Sequence, residues 1–215
     1  MEIDKIKQLI ESFDENNIDL VDNILKGSRI KKSILGEYKE LFEACGYKKY
    51  SIENLKKIIN MDMVYCPTET VPDILFKLPK LNYIRFSKIK NLDNLVEFDG
   101  IIIVDGSSNI TFPNLKKVGE LWIGHNDNEN PLPNLEYVNG VLYCIMSKLK
   151  ILPKLNYVGG KLQLLCTKIE ELPSLKYVGG YLDLYNTPLG KKLKDHKKKV
   201  EIINGFGVQG ESYCF

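Results

Sequence analysis

Apolar residues recur along this chain at two different spacings. In residues 1–62 they return every three or four positions, which is the spacing of one face of a helix. Three groups show this pattern: Ile3, Ile6, Leu9, Ile10 and Phe13; Ile30, Ile34, Tyr38, Leu41 and Phe42; and Leu55, Ile58 and Ile59, which follow a capping Ser51. The pattern predicts three or four short helices, forming an N-terminal cap or a small helical domain.

From Met63 onward the pattern becomes a short apolar-x-apolar motif that returns about every 20 residues. Seven pairs carry it: Val64/Cys66, Ile84/Phe86, Ile102/Val104, Leu121/Ile123, Leu142/Cys144, Leu162/Leu164 and Leu182/Leu184. Because side chains alternate across a strand, each pair predicts a short strand with two residues in the core. A closing strand is expected at Val200 and Ile202. Residues 63–215 are therefore predicted to form a parallel β solenoid, including a C-terminal cap.

The turns between these strands are also repeated. The segments 152–171 and 172–191 share ten of twenty positions. Glycine stands just before the strands at positions 100, 140, 160 and 180, where a positive φ or a close backbone approach would turn the chain into the next rung. Proline stands between strands at positions 113, 133, 153 and 173, where its missing N–H does not weaken a ladder.

One repeat, Leu162-x-Leu164-x-x-Thr167-x-Ile169-x-x-Leu172-Pro173, resembles the frame of the leucine-rich repeat family with its shortest, 20-residue repeats. That family usually has asparagine where this chain has Ser107, Asn126, Ser147, Thr167 and Thr187. The resemblance implies an α/β repeat fold, a leucine-rich-repeat-like parallel β solenoid with an N-terminal helical cap. The Val158-Gly159-Gly160 stretch is also similar to the L domains of receptor ectodomains, so a horseshoe is the first expectation and a short β-helix the second.

The residues beside the core pairs should point outward, and many of them are apolar or aromatic. The predicted partner-binding residues are Tyr83, Arg85, Ile101, Ile103, Trp122, Val141, Tyr143, Ile145, Gln163, Leu165, Tyr181, Asp183 and Tyr185. Tryptophan and tyrosine are enriched at binding hot spots, and monomers seldom leave large apolar patches exposed. We therefore expect a non-enzymatic protein-binding module that inhibits or sequesters its partner. An inhibitor encoded by a phage or a pathogen would fit this expectation. The alternatives for this face are coverage by the N-terminal helices or by a second copy of the chain.

A second repeated row consists of Glu97, Lys117, Tyr137, Tyr157 and Tyr177, which recur at the same phase of successive repeats. Residues at equivalent phases of a solenoid stack on neighbouring rungs. The row is expected to form a ladder along a neighbouring surface, with packing between rungs as its first role.

A basic segment near the C terminus suggests a different kind of partner. It contains Lys191, Lys192, Lys194, Lys197, Lys198 and Lys199. Lysines can neutralise phosphates, but no aromatic residue or arginine lies among them to recognise bases, and the net charge of the chain is only +2. Nucleic-acid binding is therefore the alternative to protein binding, and a solvated terminal cap is the simpler explanation of the segment.

Few residues suggest chemistry. The chain has two histidines, and the phosphate-loop and nucleophile-elbow motifs are absent from its sequence, so an unrecognised enzyme ranks third. His125 lies in a polar loop without the alternating aspartates of a calcium site, and neither a metal nor a cofactor is expected. Five widely spaced cysteines, without a signal-like or membrane-spanning apolar run, favour a reducing cytoplasm.

Overall fold

The computed structural model describes residues 3–105, 109–195 and 207–208. Its first part contains five helices: α1 (Ile3–Glu11), α2 (Glu15–Ile24), α3 (Lys31–Glu37), α4 (Lys39–Ala44) and α5 (Ile52–Ile59). Its second part is a stack of short parallel strands, with one 3-10 turn at Asp73–Lys77 and a final helix, α6 (Pro188–Asp195). The sequence pattern did not predict α6.

The five N-terminal helices are one more than the largest number predicted. The capping role of Ser51 is confirmed, because its hydroxyl accepts a hydrogen bond from the backbone N–H of Asn54 at 3.3 Å. The predicted group from Ile30 to Phe42 is divided at Tyr38 between α3 and α4. Helix α2 lies outside the predicted groups, and Asp14 caps it in the same way through the N–H of Asn17 at 3.1 Å. Helix α2 buries Ile18 and Val21 at helical spacing. Leu20, which is 48% exposed on the same helix, makes its apolar face less distinct in the sequence than the groups on either side.

Two rows of strands build the solenoid. The main row contains β1 (Met63–Cys66), β2 (Tyr83–Phe86), β3 (Glu97–Val104), β4 (Lys117–Ile123), β6 (Leu142–Tyr143), β8 (Leu162–Gln163), β10 (Tyr181–Asp183) and β11 (Gly207–Val208). A second row contains β5 (Tyr137–Val138), β7 (Tyr157–Val158) and β9 (Tyr177–Val178), and it joins the main row through β4. All these pairings are parallel, and from β1 to β10 the chain makes about six turns.

The predicted strand register is confirmed from β1 to β10. Val64 lies opposite Ile84, Ile84 opposite Ile102, and Ile102 opposite Leu121. The series continues through Leu142 and Leu162 to Leu182. The closing strand differs from the prediction: β11 at Gly207–Val208 pairs with β10, whereas Val200 and Ile202 lie outside the described residues.

The seven predicted core pairs are all buried, each side chain being at most 6% exposed. Their side chains belong to one continuous apolar core that also includes the buried faces of the N-terminal helices. Helix α4 contacts β1, so the helices meet the solenoid at its first rung. Complete burial of a leucine-sized side chain stabilises a fold by about 1.5 to 3 kcal/mol, so this core supplies most of the driving force for folding.

Polar residues point inward just after the strands and bond to backbone groups there. The described ones are Asn126, Ser147, Thr167 and Thr187, and each is at most 7% exposed. The hydroxyls of Thr167 and Thr187 each donate to the carbonyl oxygen three residues earlier at 2.7 Å. The side-chain amide of Asn126 instead donates to the carbonyl of Ile110 on another segment at 2.9 Å. The serine and threonine hydroxyls therefore donate hydrogen bonds to carbonyl groups in their own turn, whereas Asn126 donates to a carbonyl group on another segment.

The residue before each of these polar positions has a left-handed backbone. His125, Met146, Cys166 and Asn186 have φ between 49° and 56°. A non-glycine residue normally avoids this region, so the strain is repeated at the same turn of four rungs. It ends each strand sharply and directs the next side chain into the core.

Of the two roles predicted for the glycines before the strands, the structure shows close approach: none of Gly100, Gly140, Gly160 and Gly180 has a positive φ. A Cβ added at Gly159 would lie 2.0 Å from the carbonyl oxygen of Asn139 on the preceding rung. At Gly140 a Cβ would meet only the side chain of Glu120, at 2.7 Å. Backbone cannot move aside as a flexible carboxylate can, so Gly159 is the more constrained position.

Gly159→Ala should lower the free energy of unfolding by about 1 to 3 kcal/mol, because its methyl group would force two rungs apart. Gly140→Ala is the matched control and should cost less, since the Glu120 side chain can rotate away. Urea denaturation followed by circular dichroism measures both changes. Equal losses in the two variants would contradict the close-approach explanation.

Thr167→Val should lower the free energy of unfolding by about 1 to 3 kcal/mol, the cost of leaving a buried backbone group unsatisfied. The valine keeps the shape of threonine but cannot bond the carbonyl of Leu164 or accept from the N–H of Ile169. Thr167→Ser keeps the hydroxyl and should retain more stability. Denaturation curves of the two variants measure these losses of stability. A serine variant less stable than the valine variant would show that the methyl group of Thr167 contributes more to stability than its hydroxyl.

Candidate interaction surface

The outward side chains of the main row line up in columns, because the strands are in register. The central column runs through Arg85, Ile103, Trp122, Tyr143 and Gln163. Arg85 is exposed, Trp122 is 38% exposed, and the other three are half-buried. We call this side of the main row the sheet face, and it places the predicted residues side by side.

An aromatic pair occupies the centre of the sheet face. The rings of Trp122 and Tyr143 stack with their centroids 5.0 Å apart and their planes 22° apart. The indole N–H of Trp122 donates to a carboxylate oxygen of Glu120 at 3.4 Å, a long hydrogen bond. Both aromatic side chains therefore combine a partly exposed apolar surface with a polar tip, a combination typical of binding hot spots.

Apolar side chains flank this pair on both sides. Ile101 lies on one side, and Ile145 and Leu165 on the other, all half-buried. Gly124 stands in the column of Ile145, where an added Cβ would come no closer than 3.7 Å to any other atom. Gly124 therefore adds no side chain to the surface beside Trp122.

Polar and charged contacts mark the two ends of the sheet face. Toward the N terminus, Arg85 forms an ion pair with Asp105 on the next rung. Toward the C terminus, the amide of Gln163 donates to the hydroxyl of Tyr181 at 3.0 Å, and the Lys161 ammonium lies 5.1 Å from the centre of the Tyr181 ring. An apolar centre with a polar surround is the usual arrangement of a protein-binding patch.

The remaining predicted residues differ in how far they are exposed. Tyr83 and Val141 are half-buried and Tyr185 is 36% exposed, as expected for an outward face. Asp183 was expected to point outward, but it is only 3% exposed. Its carboxylate accepts a hydrogen bond from the backbone N–H of Tyr185 at 2.9 Å, which holds it against its own turn. Asp183 is therefore a structural residue in the described chain.

Three further residues belong to the surface around the sheet face but were not among the predicted partner-binding residues. Glu120 lies opposite Ile101, at the same 19-residue step that places Trp122 opposite Ile103. Tyr65 is 61% exposed in β1, opposite Arg85. Met146 is 48% exposed at a left-handed turn beyond the strand, where strand alternation no longer predicts direction. Register predicts the first two, whereas only the turn geometry could have found Met146.

The basic segment is only partly described. Lys191 and Lys192 are exposed on α6, and Lys194 belongs to the same helix. Lys197, Lys198 and Lys199 lie outside the described residues. The exposed lysines are therefore on a different element from the sheet face.

The buried cysteines act as apolar groups. Burial raises the pKa of the Cys144 thiol well above its usual range, and it raises the pKa of Cys45 to about 12. Burial also raises the pKa of Cys66, against the lowering effect of a hydrogen bond with Thr68. Because the thiolate is the reactive form, these three thiols are poor nucleophiles at neutral pH.

Trp122, the only tryptophan, reports directly on the sheet face. At 38% exposure in a single chain, its fluorescence should be quenched by acrylamide at the lowest protein concentration that can be measured. The slope of quenching against acrylamide concentration should lie between that of a buried tryptophan and that of the unfolded chain in urea. A slope typical of a buried tryptophan in the dilute monomer would contradict the exposure of this face. A slope that falls with rising protein concentration would indicate coverage by a second copy.

The described part of the chain contains neither a membrane-spanning helix nor a cluster of metal ligands. Among those residues, no helix is long and apolar enough to cross a membrane. The same residues contain no group of three or more histidines, cysteines, aspartates or glutamates arranged to hold a metal ion. Comparison with protein-family models, with curated proteins and with solved structures gives no match for this chain.

Proposed function

We propose that this protein binds another protein through the sheet face, in a non-enzymatic role that can inhibit or sequester the partner. The observation that carries the proposal is the stacked pair of Trp122 and Tyr143 at the centre of a partly exposed apolar surface. Apolar side chains on an outward sheet face cost solubility unless another surface covers them. The polar contacts at both ends would then set the orientation of the partner.

We further propose that the solenoid is of the leucine-rich repeat type and that the N-terminal helices cap it. Two observations support the cap: α4 contacts β1, and the helices share one apolar core with the rungs. A solenoid end without a cap would expose the apolar pairs of its terminal rung. This role leaves the sheet face free for a partner.

A cytoplasmic location is part of the same proposal. Four cysteines, namely Cys45, Cys66, Cys144 and Cys166, are unpaired thiols. Free thiols are typical of a reducing compartment, whereas a secreted protein of this size usually pairs them.

The test is capture of partners by the tagged protein from a lysate of the cells that produce it. Trp122→Ala/Tyr143→Ala should lose the partner, because truncation of hot-spot aromatics costs about 2 kcal/mol or more each, roughly 30-fold in Kd. Tyr157→Ala/Tyr177→Ala is the matched control, since it removes a stacked aromatic pair of similar size from the neighbouring surface. Melting curves of both variants first establish that each is folded.

A partner protein lost only from the Trp122/Tyr143 variant, and unaffected by nuclease, would support the proposal. Retention by both variants, or loss from both, would contradict it. Release by nuclease would instead point to nucleic-acid binding by the basic segment. Sedimentation of the purified protein tests self-association. If the protein is a dimer and the Trp122/Tyr143 variant is a monomer, the sheet face binds a second copy of the chain.

A further inference from the structure

The second row of strands carries a ladder of three stacked tyrosines. The rings of Tyr137 and Tyr157 have centroids 4.3 Å apart and planes 3° apart. The rings of Tyr157 and Tyr177 have centroids 4.8 Å apart and planes 12° apart. The strands are parallel and in register, with Tyr137 opposite Tyr157 and Tyr157 opposite Tyr177. The backbone therefore holds the three phenols face to face and in the same orientation.

Glycines two residues further along the chain make room for two of these rings. A Cβ on Gly159 would lie 3.3 Å from a ring carbon of Tyr157, and a Cβ on Gly179 would lie 3.2 Å from the hydroxyl oxygen of Tyr177. Each ring thus lies over its own glycine. All three tyrosines are half-buried, so solvent reaches part of each ring while the stack limits its motion.

The hydroxyl groups of the first two rings are also neighbours. A hydrogen bond with the hydroxyl of Tyr137 raises the pKa of Tyr157. Because the two strands are parallel and in register and the ring planes differ by only 3°, the hydroxyls and the ring carbons next to them lie on the same side of the stack. These carbons are the ones that carry unpaired electron density in a phenoxyl radical.

We propose that Tyr137, Tyr157 and Tyr177 form an oxidative cross-linking site, where one-electron oxidants join two neighbouring rings across adjacent rungs. Each of two phenols gives one electron to the oxidant and releases its hydroxyl proton, which leaves two phenoxyl radicals. The radicals couple through a carbon–carbon bond between positions ortho to the oxygens. The two ring hydrogens at those carbons then move to the oxygens and restore two phenols. In total the protein loses two electrons and two protons, and two equivalents of oxidant are reduced.

The geometry also predicts which pair reacts first. Tyr137 and Tyr157 are closer and more nearly parallel than Tyr157 and Tyr177. Tyr65 and Tyr83 are less well placed, with centroids 6.2 Å apart and planes 53° apart. Because preorganised neighbours react far faster than groups that must diffuse together, the Tyr137–Tyr157 product should predominate.

The test exposes the full-length protein to light with a ruthenium(II) tris-bipyridyl sensitiser and persulfate as the electron acceptor. We expect a monomer that has lost two hydrogen atoms and shows the blue fluorescence of a dityrosine. Trypsin should release residues 118–148, which contain Tyr137, linked to residues 155–161, which contain Tyr157 as their only tyrosine. The yield per chain should not change on about tenfold dilution, since the coupling is intramolecular.

Two phenylalanine variants make the test specific. Tyr157→Phe keeps the stacked ring but cannot form a phenoxyl radical, so the linked peptide should disappear. Tyr143→Phe is the matched control, because Tyr143 lies in the same tryptic peptide as Tyr137 but on the sheet face, and it should leave the yield unchanged. Persistence of the link in the Tyr157 variant, a yield that falls on dilution, or oxidation without any link to residues 155–161 would overturn the proposal.

Discussion

Hydrogen bonding between successive rungs is the constraint on which the rest of this structure depends. Each rung pairs its strands in parallel with the rung before and the rung after, so equivalent residues are held one strand spacing, about 4.8 Å, apart. That spacing leaves no room for a side chain where two backbones meet edge to edge, as at Gly159 above Asn139. Every surface of the solenoid is consequently a set of columns, and the character of a column is set by the residue type that recurs in it.

The core, the sheet face and the tyrosine ladder are three such columns or groups of columns on the same rungs. Leu142 and Leu162 stack inward, Trp122 and Tyr143 stack outward, and Tyr157 and Tyr177 stack on the neighbouring side. A residue of a different type within a column therefore changes the surface at that rung alone. Glu120 and Gly124 both occur on the rung of Trp122, where they stand in columns that carry Ile101 and Ile145 on the neighbouring rungs.

The parts of this arrangement that follow from periodicity could be predicted from the sequence. Alternation and a period near 20 fixed the inward pairs and the outward columns, because a one-residue slip would have placed leucines in water. Features that depend on local geometry were not predictable in this way. Asp183 turns back to its own backbone, Met146 adopts a left-handed conformation beyond its strand, and an exposed Leu20 makes the apolar face of α2 less distinct. For the glycines, the repeat located close approaches to backbone at positions 100, 160 and 180, but the tighter ones at positions 159 and 179 were not predicted.

The pair of glycines in each Tyr-Val-Gly-Gly turn connects the ladder with the sheet face. The first glycine lets the backbones of two rungs touch and clears space for the tyrosine ring, and the second leads directly into the strand of the sheet face. The two surfaces are therefore separated by only a few residues of rigid backbone on every late rung. The same succession of rungs sets the backbone spacing of Tyr137 and Tyr157 in the ladder and of Tyr143 and Gln163 on the sheet face. A cross-link between Tyr137 and Tyr157 would therefore join two rungs whose strands also carry Tyr143 and Gln163.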